Sequence, residues 1–287
     1  MKTIFYILSI FSLRFAFLLC DIAFKAMPLS ILRLSSSFNV TKKNLSIAFP
    51  NLDEQELKLL AKESYKETLK SVYETVYTWS RSSKKIIYQT KRINNRFLFK
   101  TPEQKDGLII FALHNRSIDF LLRWISTQRP HTSLYKKIKL KPINQFVKQF
   151  REEGNCKMVE VGIGGVKTIL TALENNQMTC MASDQVPADG LGTYSTFFGH
   201  ECYSFSLAPK LAKKSDKKIL MSYLSYEEDI GHIINFKKPD NKIYSKNGID
   251  IMNKEMEEEI KKSPKQYSWE YKKFRKLSKE PRDIYKN

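Results

Sequence analysis

Two places in this chain bring together side chains that could move a proton near neutral pH. His114 directly follows the apolar run LIIFAL (Leu108 to Leu113), and Asp119 stands five residues later inside the next apolar segment. Asp184 and Gln185 stand in the same way after MTCMAS (Met178 to Ser183). A histidine with one ring nitrogen engaged by a carboxylate keeps the other as a base, and such a base can activate an alcohol for attack on a thioester. Along one helix, a five-residue spacing sends side chains to different faces. Across a strand-to-helix turn they can converge, so the spacing predicts that Leu113 ends a strand and that Asn115 or Ser117 caps a helix. Asp119 then lies in the first helical turns and orients His114. Backbone N–H groups at the helix start would hold a developing oxyanion. Taken alone, a histidine packed at a strand end and an aspartate favoured by the helix dipole explain the same residues without chemistry.

The surrounding pattern is what must position them. Strand-like runs at Leu108 to Leu113, Cys156 to Val161, Met178 to Ser183 and Lys218 to Leu224 alternate with helix-like stretches at Asp119 to Ser126, Pro142 to Glu152, Gly164 to Asn175 and Ser206 to Lys213. This order predicts an α/β fold. Ligands of such sheets meet the loops beyond the carboxyl ends of strands, so His114 and the pair Asp184 and Gln185 share one edge. The glycines of GIGG (Gly162 to Gly165) open a helix and are compatible with a phosphate seat or a simple turn. No GxGxxG, Walker sequence or internal repeat is present.

Ahead of these elements, Ile4 to Phe24 has the length of a membrane-spanning helix but is interrupted by Arg14 and Asp21. Arg14 breaks the apolar core a signal peptide needs, and no small-x-small cleavage site follows. The reading is an uncleaved N-terminal anchor helix over residues 1–27, spanning or lying in the interface, followed by one catalytic domain over 28–287. Next, Asp53 and Glu56 form a capping box for a long helix, with Leu57, Ala61, Tyr65, Thr68, Val72, Val76 and Trp79 as its core-facing stripe. The net charge of +19 is spread along the chain and draws anionic partners. No nucleic-acid motif accompanies it. Cys20, Cys156, Cys180 and Cys202 form no CxxC pair, so neither zinc nor a disulfide framework is expected.

Four ordered segments carry a resemblance: NVTKKNLSIAFPNLDEQE after the N-terminal segment, HNRSID (an HX4D motif), ASDQVPADGLGTYSTFFG, and SPKQYSWEYKKFR. Together they resemble the bacterial lipid A biosynthesis acyltransferases, the late lauroyl and myristoyl transferases, over nearly the whole chain. The resemblance implies a glycerolipid-acyltransferase-like fold, with a central mixed sheet flanked by helices, at the cytoplasmic face of the anionic bacterial inner membrane. It implies transfer of a fatty acyl chain from acyl carrier protein, or acyl-CoA, to a hydroxyl of a lipid A precursor or related glycolipid, with His114 as general base and Asp119 orienting it. Arg116, Lys136, Asp184, Gln185, Phe197, Phe198 and Gly199 become its substrate-binding residues. Lys136 stands where relatives carry arginine; lysine keeps the charge and loses the bidentate fork. Gly-Asn-Trp between histidine and acid is replaced by Arg116, Ser117 and Ile118. Both departures bear on the acceptor more than on the reaction. Thioester chemistry requires no metal and no cofactor. The alternatives are a glycerol-phosphate-type acyltransferase, whose pattern has serine two places after the histidine rather than three, another lipid acyltransferase with an acceptor such as an aminolipid, and a catalytically inactive basic membrane-binding member.

Overall fold

The computed structural model describes residues 1–100, 106–280 and 282–286. The amino-terminal part is helical: α1 (Lys2–Leu8), α2 (Leu13–Ala26), α3 (Leu29–Leu32), α4 (Ser36–Ala48), α5 (Glu54–Ser80) and α6 (Ser83–Gln89). An alternating region follows, with β1 (Thr90–Asn94), α7 (Arg96–Phe99), β2 (Leu108–Ala112), α8 (Ile118–Gln128), β3 (Thr132–Tyr135), α9 (Lys141–Arg151), β4 (Lys157–Glu160), α10 (Ile163–Glu174) and β5 (Met178–Ala182). The chain closes with the hairpin β6 (Gly192–Phe197) and β7 (His200–Phe205), then α11 (Leu207–Ser215), β8 (Lys218–Glu227), β9 (Gly231–Lys237) and α12 (Gly248–Lys262).

The central sheet is mixed, in the order β1-β9-β8-β2-β5. β2 is parallel to both neighbours, β8 and β5, while β8 and β9 run antiparallel. Every residue of β2 is buried, as an apolar strand covered on both faces must be. Its side chains alternate between two cores. Ile109, Phe111 and Leu113 enter one with Phe38, Leu211 and Met252; Leu108, Ile110 and Ala112 enter the other with Phe120 and Trp124. The parallel pair β3 and β4 sits beside β5 through the bridge of His131 with Met178.

The four expected strands and the helices between them are present as β2, β4, β5 and β8, within a few residues of their expected ends. Among the described residues five further strands join them. The long helix begins where expected, with both halves of the Asp53 and Glu56 capping box formed. Its buried face follows the expected stripe at Leu57, Ala61 and Tyr65 and departs from it further along. Val72 is exposed, whereas Glu67, Lys70 and Glu74 are buried, because these charges find partners inside and so satisfy one another there.

The anchor is likewise not one helix. α1 and α2 are bent by 51° at Ser9–Ser12, and no single helix among the described residues is long and apolar enough to cross a membrane. The bent pair lies against α5, burying Phe5, Leu13, Phe17 and Phe24. Ile4, Ile7, Phe11, Phe15, Leu18, Leu19 and Ile22 face outward. The break follows from Ser12, whose hydroxyl caps α2 by accepting from the Phe15 N–H at 3.3 Å.

Candidate active site

The site is set by strand register. Ala112 of β2 is paired in parallel with Ala182 of β5, and two residues beyond each stand His114 and Asp184. The register continues past the strands through the Ser183 N–H, which donates to the Ala112 carbonyl at 3.0 Å. His114 Nδ1 lies 2.7 Å from Asp184 Oδ1, and the His114 backbone N–H donates to Oδ2 at 3.1 Å. The expected partner, Asp119, does not reach the ring. Ser117 caps α8, accepting from the Phe120 N–H at 3.3 Å. Asp119 in the first turn is held at both oxygens by Arg151 from the end of α9, at 2.6 and 3.0 Å. This corrects the geometry read from the five-residue spacing: the carboxylate on His114 comes from the neighbouring strand end.

Burial alone would lower the pKa of the His114 imidazole, but the Asp184 charge and hydrogen bond outweigh it and raise the net value. Burial likewise pushes the Asp184 carboxyl up, yet His114, with a further contribution from Lys273, holds it below the ordinary carboxylate value. Lys273 is itself buried; its Nζ lies over the Phe197 ring, 4.6 Å from the centroid, with no hydrogen-bond partner among the described residues. On the other side of the imidazole, Gln185 Nε2 lies 3.3 Å from His114 Nε2. A proton on Nδ1, facing the carboxylate, leaves the Nε2 lone pair to accept from that carboxamide.

Nε2 opens onto a cavity of about 420 Å³, within the range of small-molecule sites. Ala112, Ile118, Leu122, Leu134, Met158 and Phe205 give it apolar walls, with His114, Gln185, Arg151 and Lys136 as polar lining. Cys180 also lines it, but burial pushes its thiol up to about 12, which makes it a poor nucleophile.

The remaining expected residues divide. Gln185 and Lys136 reach the cavity, whereas Asp184 is buried behind His114 rather than lining a groove. Arg116 is not available to a substrate. Its side chain is fully buried, ion-paired with Glu67 and Glu74 of α5 and sandwiched by the rings of Phe17 and Tyr226. Phe197 ends β6, and Phe198 and Gly199 form the turn of the β6–β7 hairpin, with Phe198 packed on Phe49 and Trp269. None of the three lines the cavity beside His114.

The amides expected to hold an oxyanion are partly engaged. Those of Asn115, Arg116 and Ser117 donate to the Leu113 carbonyl, the Gln266 carbonyl and Glu74 Oε2. Gly165 serves packing: a Cβ there would stand 2.1 Å from the Glu160 carbonyl oxygen. No cluster of three or more metal-ligating side chains occurs among the described residues. Arg151 is the main residue that sequence reasoning missed. A basic residue closing an amphipathic helix carries no signal of what it faces.

The family model of bacterial lipid A biosynthesis acyltransferases matches residues 6–276. The chain is similar to the lipid A biosynthesis palmitoleoyltransferase of Escherichia coli (strain K12), 21% identical over 245 residues that cover 83% of this chain and 78% of that protein. It is similar to the same extent to a lipid A biosynthesis acyltransferase of Shigella flexneri, with 21% identity and the same coverage.

Proposed function

The chain belongs to the bacterial lipid A biosynthesis acyltransferases and is an acyltransferase, and we propose that it moves a fatty acyl chain from a thioester of acyl carrier protein or coenzyme A to a hydroxyl of a lipid A precursor or related glycolipid. The observation that carries this reading is the His114 ring, backed by a buried carboxylate on Nδ1, with Gln185 on Nε2 and a largely apolar cavity beside both.

In this reading the acyl chain occupies the cavity and the thioester carbonyl sits beside Nε2. The acceptor hydroxyl attacks the carbonyl carbon while Nε2 takes its proton, and Asp184 stabilises the imidazolium that forms. The tetrahedral oxyanion takes hydrogen bonds from the Gln185 carboxamide and the Arg151 guanidinium. Collapse breaks the carbon–sulfur bond, and the leaving thiolate recovers the proton from His114. Asp119 acts through Arg151, its two oxygens fixing the orientation of the guanidinium at the cavity wall. Lys136 at the rim is a point charge for a phosphate on donor or acceptor.

The outward apolar face of α1 and α2, with Lys2, Arg14 and Lys25 exposed on the same pair, supports an interfacial seat for residues 1–27. Each such cation adds about 1 kcal/mol of attraction near an anionic leaflet. The reading therefore puts the catalytic body, residues 28–287, at the cytoplasmic face of the inner membrane.

The test is transfer from radiolabelled acyl carrier protein to an extracted total lipid fraction. Labelling of a glycolipid by wild type, with loss in His114→Ala, is the expected result. Equal labelling by His114→Ala removes the assignment.

A further inference from the structure

Arg116 stands two residues after His114 with a backbone φ of 62°, in the left-handed region that a non-glycine residue keeps only where its surroundings hold it. Charge holds it here. Its Nε donates to Glu74 Oε1 at 3.0 Å, and its guanidinium is also paired with Glu67. Glu67 accepts in turn from Lys70 Nζ at 3.1 Å, one turn further along α5. Lys70, 3% exposed, reaches Asp21 of α2 at 2.8 Å. Four alternating charges, Asp21, Lys70, Glu67 and Arg116, thus run from the amino-terminal pair to the turn that presents His114.

α2 contributes a second contact to the same chain of charges. The Phe17 ring lies 5.6 Å from Lys70 Nζ and 5.0 Å from the Arg116 guanidinium carbon, measured to the ring centroid. Lys66 also meets Asp21, at 3.2 Å, but its other partner is Glu63; it is not a link to the turn. Without Asp21, Lys70 is left with Glu67 alone. Losing Asp21 leaves a buried cation under-compensated beside Glu67, and Glu67 shares the Arg116 guanidinium with Glu74. The helix that makes these contacts also carries Phe15, Leu18, Leu19 and Ile22 on its outward face.

We infer that α2 is a positioning element for the active site: Asp21 and Phe17 set the His114 turn through Lys70, Glu67 and Arg116, so that turnover, and not only location, depends on how this helix is seated. The inference rests on the reading of His114 as the base, and one arm of its test is independent of activity.

The full chain in detergent is compared as wild type, Asp21→Asn and Asp21→Glu. The expected result is a kcat at least about tenfold lower in Asp21→Asn, as misplacement of a catalytic group produces, with donor KM within about twofold. Asp21→Glu restores most of it, and flotation with vesicles of anionic phospholipid matches wild type in all three. Amide hydrogen exchange over residues 113–121 is faster in Asp21→Asn, by about tenfold, with β8 unchanged. Unchanged exchange over 113–121 overturns the inference whatever the activity, and so does unchanged kcat, or a kcat loss that tracks a loss of flotation. Faster exchange in a protein whose His114→Ala variant transfers as well as wild type keeps the link to the turn and removes the base. If Asp21→Asn does not fold, Phe17→Leu tests the same link, since it keeps the apolar contact and removes the ring under both cations. Wild-type exchange and turnover in that variant overturn the inference.

Discussion

His114 and Asp184 stand at one level of the sheet, each two residues past the paired Ala112 and Ala182 of adjacent parallel strands, with Nδ1 and Oδ1 2.7 Å apart. The carboxylate on the imidazole therefore comes from the next strand over, and the acid of the HX4D motif is free for a different task.

A division of labour between the two aspartates follows. Asp184→Asn lowers kcat by at least about a hundredfold, as loss of the group that orients and stabilises a general base does. Asp119→Asn acts mainly on donor KM, through a loosened Arg151. Steady-state kinetics of both variants decide between this and the reverse assignment.

The rate depends on pH in a stated direction. His114 must be neutral to accept a proton, and Asp184 raises its pKa above the ordinary histidine value, about 6.5. Transfer therefore rises with pH through a midpoint above that value. In Asp184→Asn the residual rate has a lower midpoint, since burial is then opposed only by the weaker charge of Glu270. A profile of kcat/KM against pH in both proteins is the measurement.

Filling the cavity changes which chain is transferred. Leu122 lines it and is partly exposed there, so Leu122→Trp shortens the space with little effect on the core. Competing donors of different length report the change: the ratio of long to short chains transferred falls by about tenfold, the scale set by one or two methylenes in an apolar pocket.

Acid stability has a separate source. Burial pushes the Glu74 carboxyl up, but Arg116 and His232 hold it at about 2. A depressed carboxylate contributes stability above its unfolded value and loses it as pH falls through the folded one. The window is about pH 4.3, the ordinary glutamate value, down to about 2. Glu74→Gln leaves Arg116 with less compensation in a fully buried place and costs on the order of 3 kcal/mol at neutral pH. Thermal melts of both proteins across that window show wild type losing its advantage as pH falls.

How far these features are legible without coordinates depends on the kind of physics involved. The alternation of apolar runs with amphipathic stretches is written in local periodicity, and so are the Asp53 and Glu56 box and the strand that ends before His114. That His114 and Asp184 lie along one edge is likewise readable from strand ends. Which carboxylate meets the ring is not, because it depends on β5 pairing with β2 in register, a choice made across the intervening β3 and β4. The buried face of α5 beyond Tyr65 was hidden for a related reason. Glu67, Lys70 and Glu74 read as solvent-facing by type, and only the arrival of Asp21, Arg116 and His232 from three other segments makes their burial possible. Phe197 and Phe198 pack at a hairpin end against Trp269 and Phe274, which come from the far end of the chain and leave no local signal.

The in-register pairing of β2 with β5 also sets where this chain can drift. Side chains along a strand alternate between faces, so one residue gained or lost between Leu108 and His114 turns the imidazole to the wrong side of the sheet. The loops of the excursion from α8 to β5 are freer, because its length does not enter the pairing of Ala112 with Ala182, so long as Arg151 still meets Asp119. Insertions and deletions accumulated over descent are therefore expected there, along the stretch that shapes the cavity wall, while the two strands that carry the dyad keep their lengths to the residue.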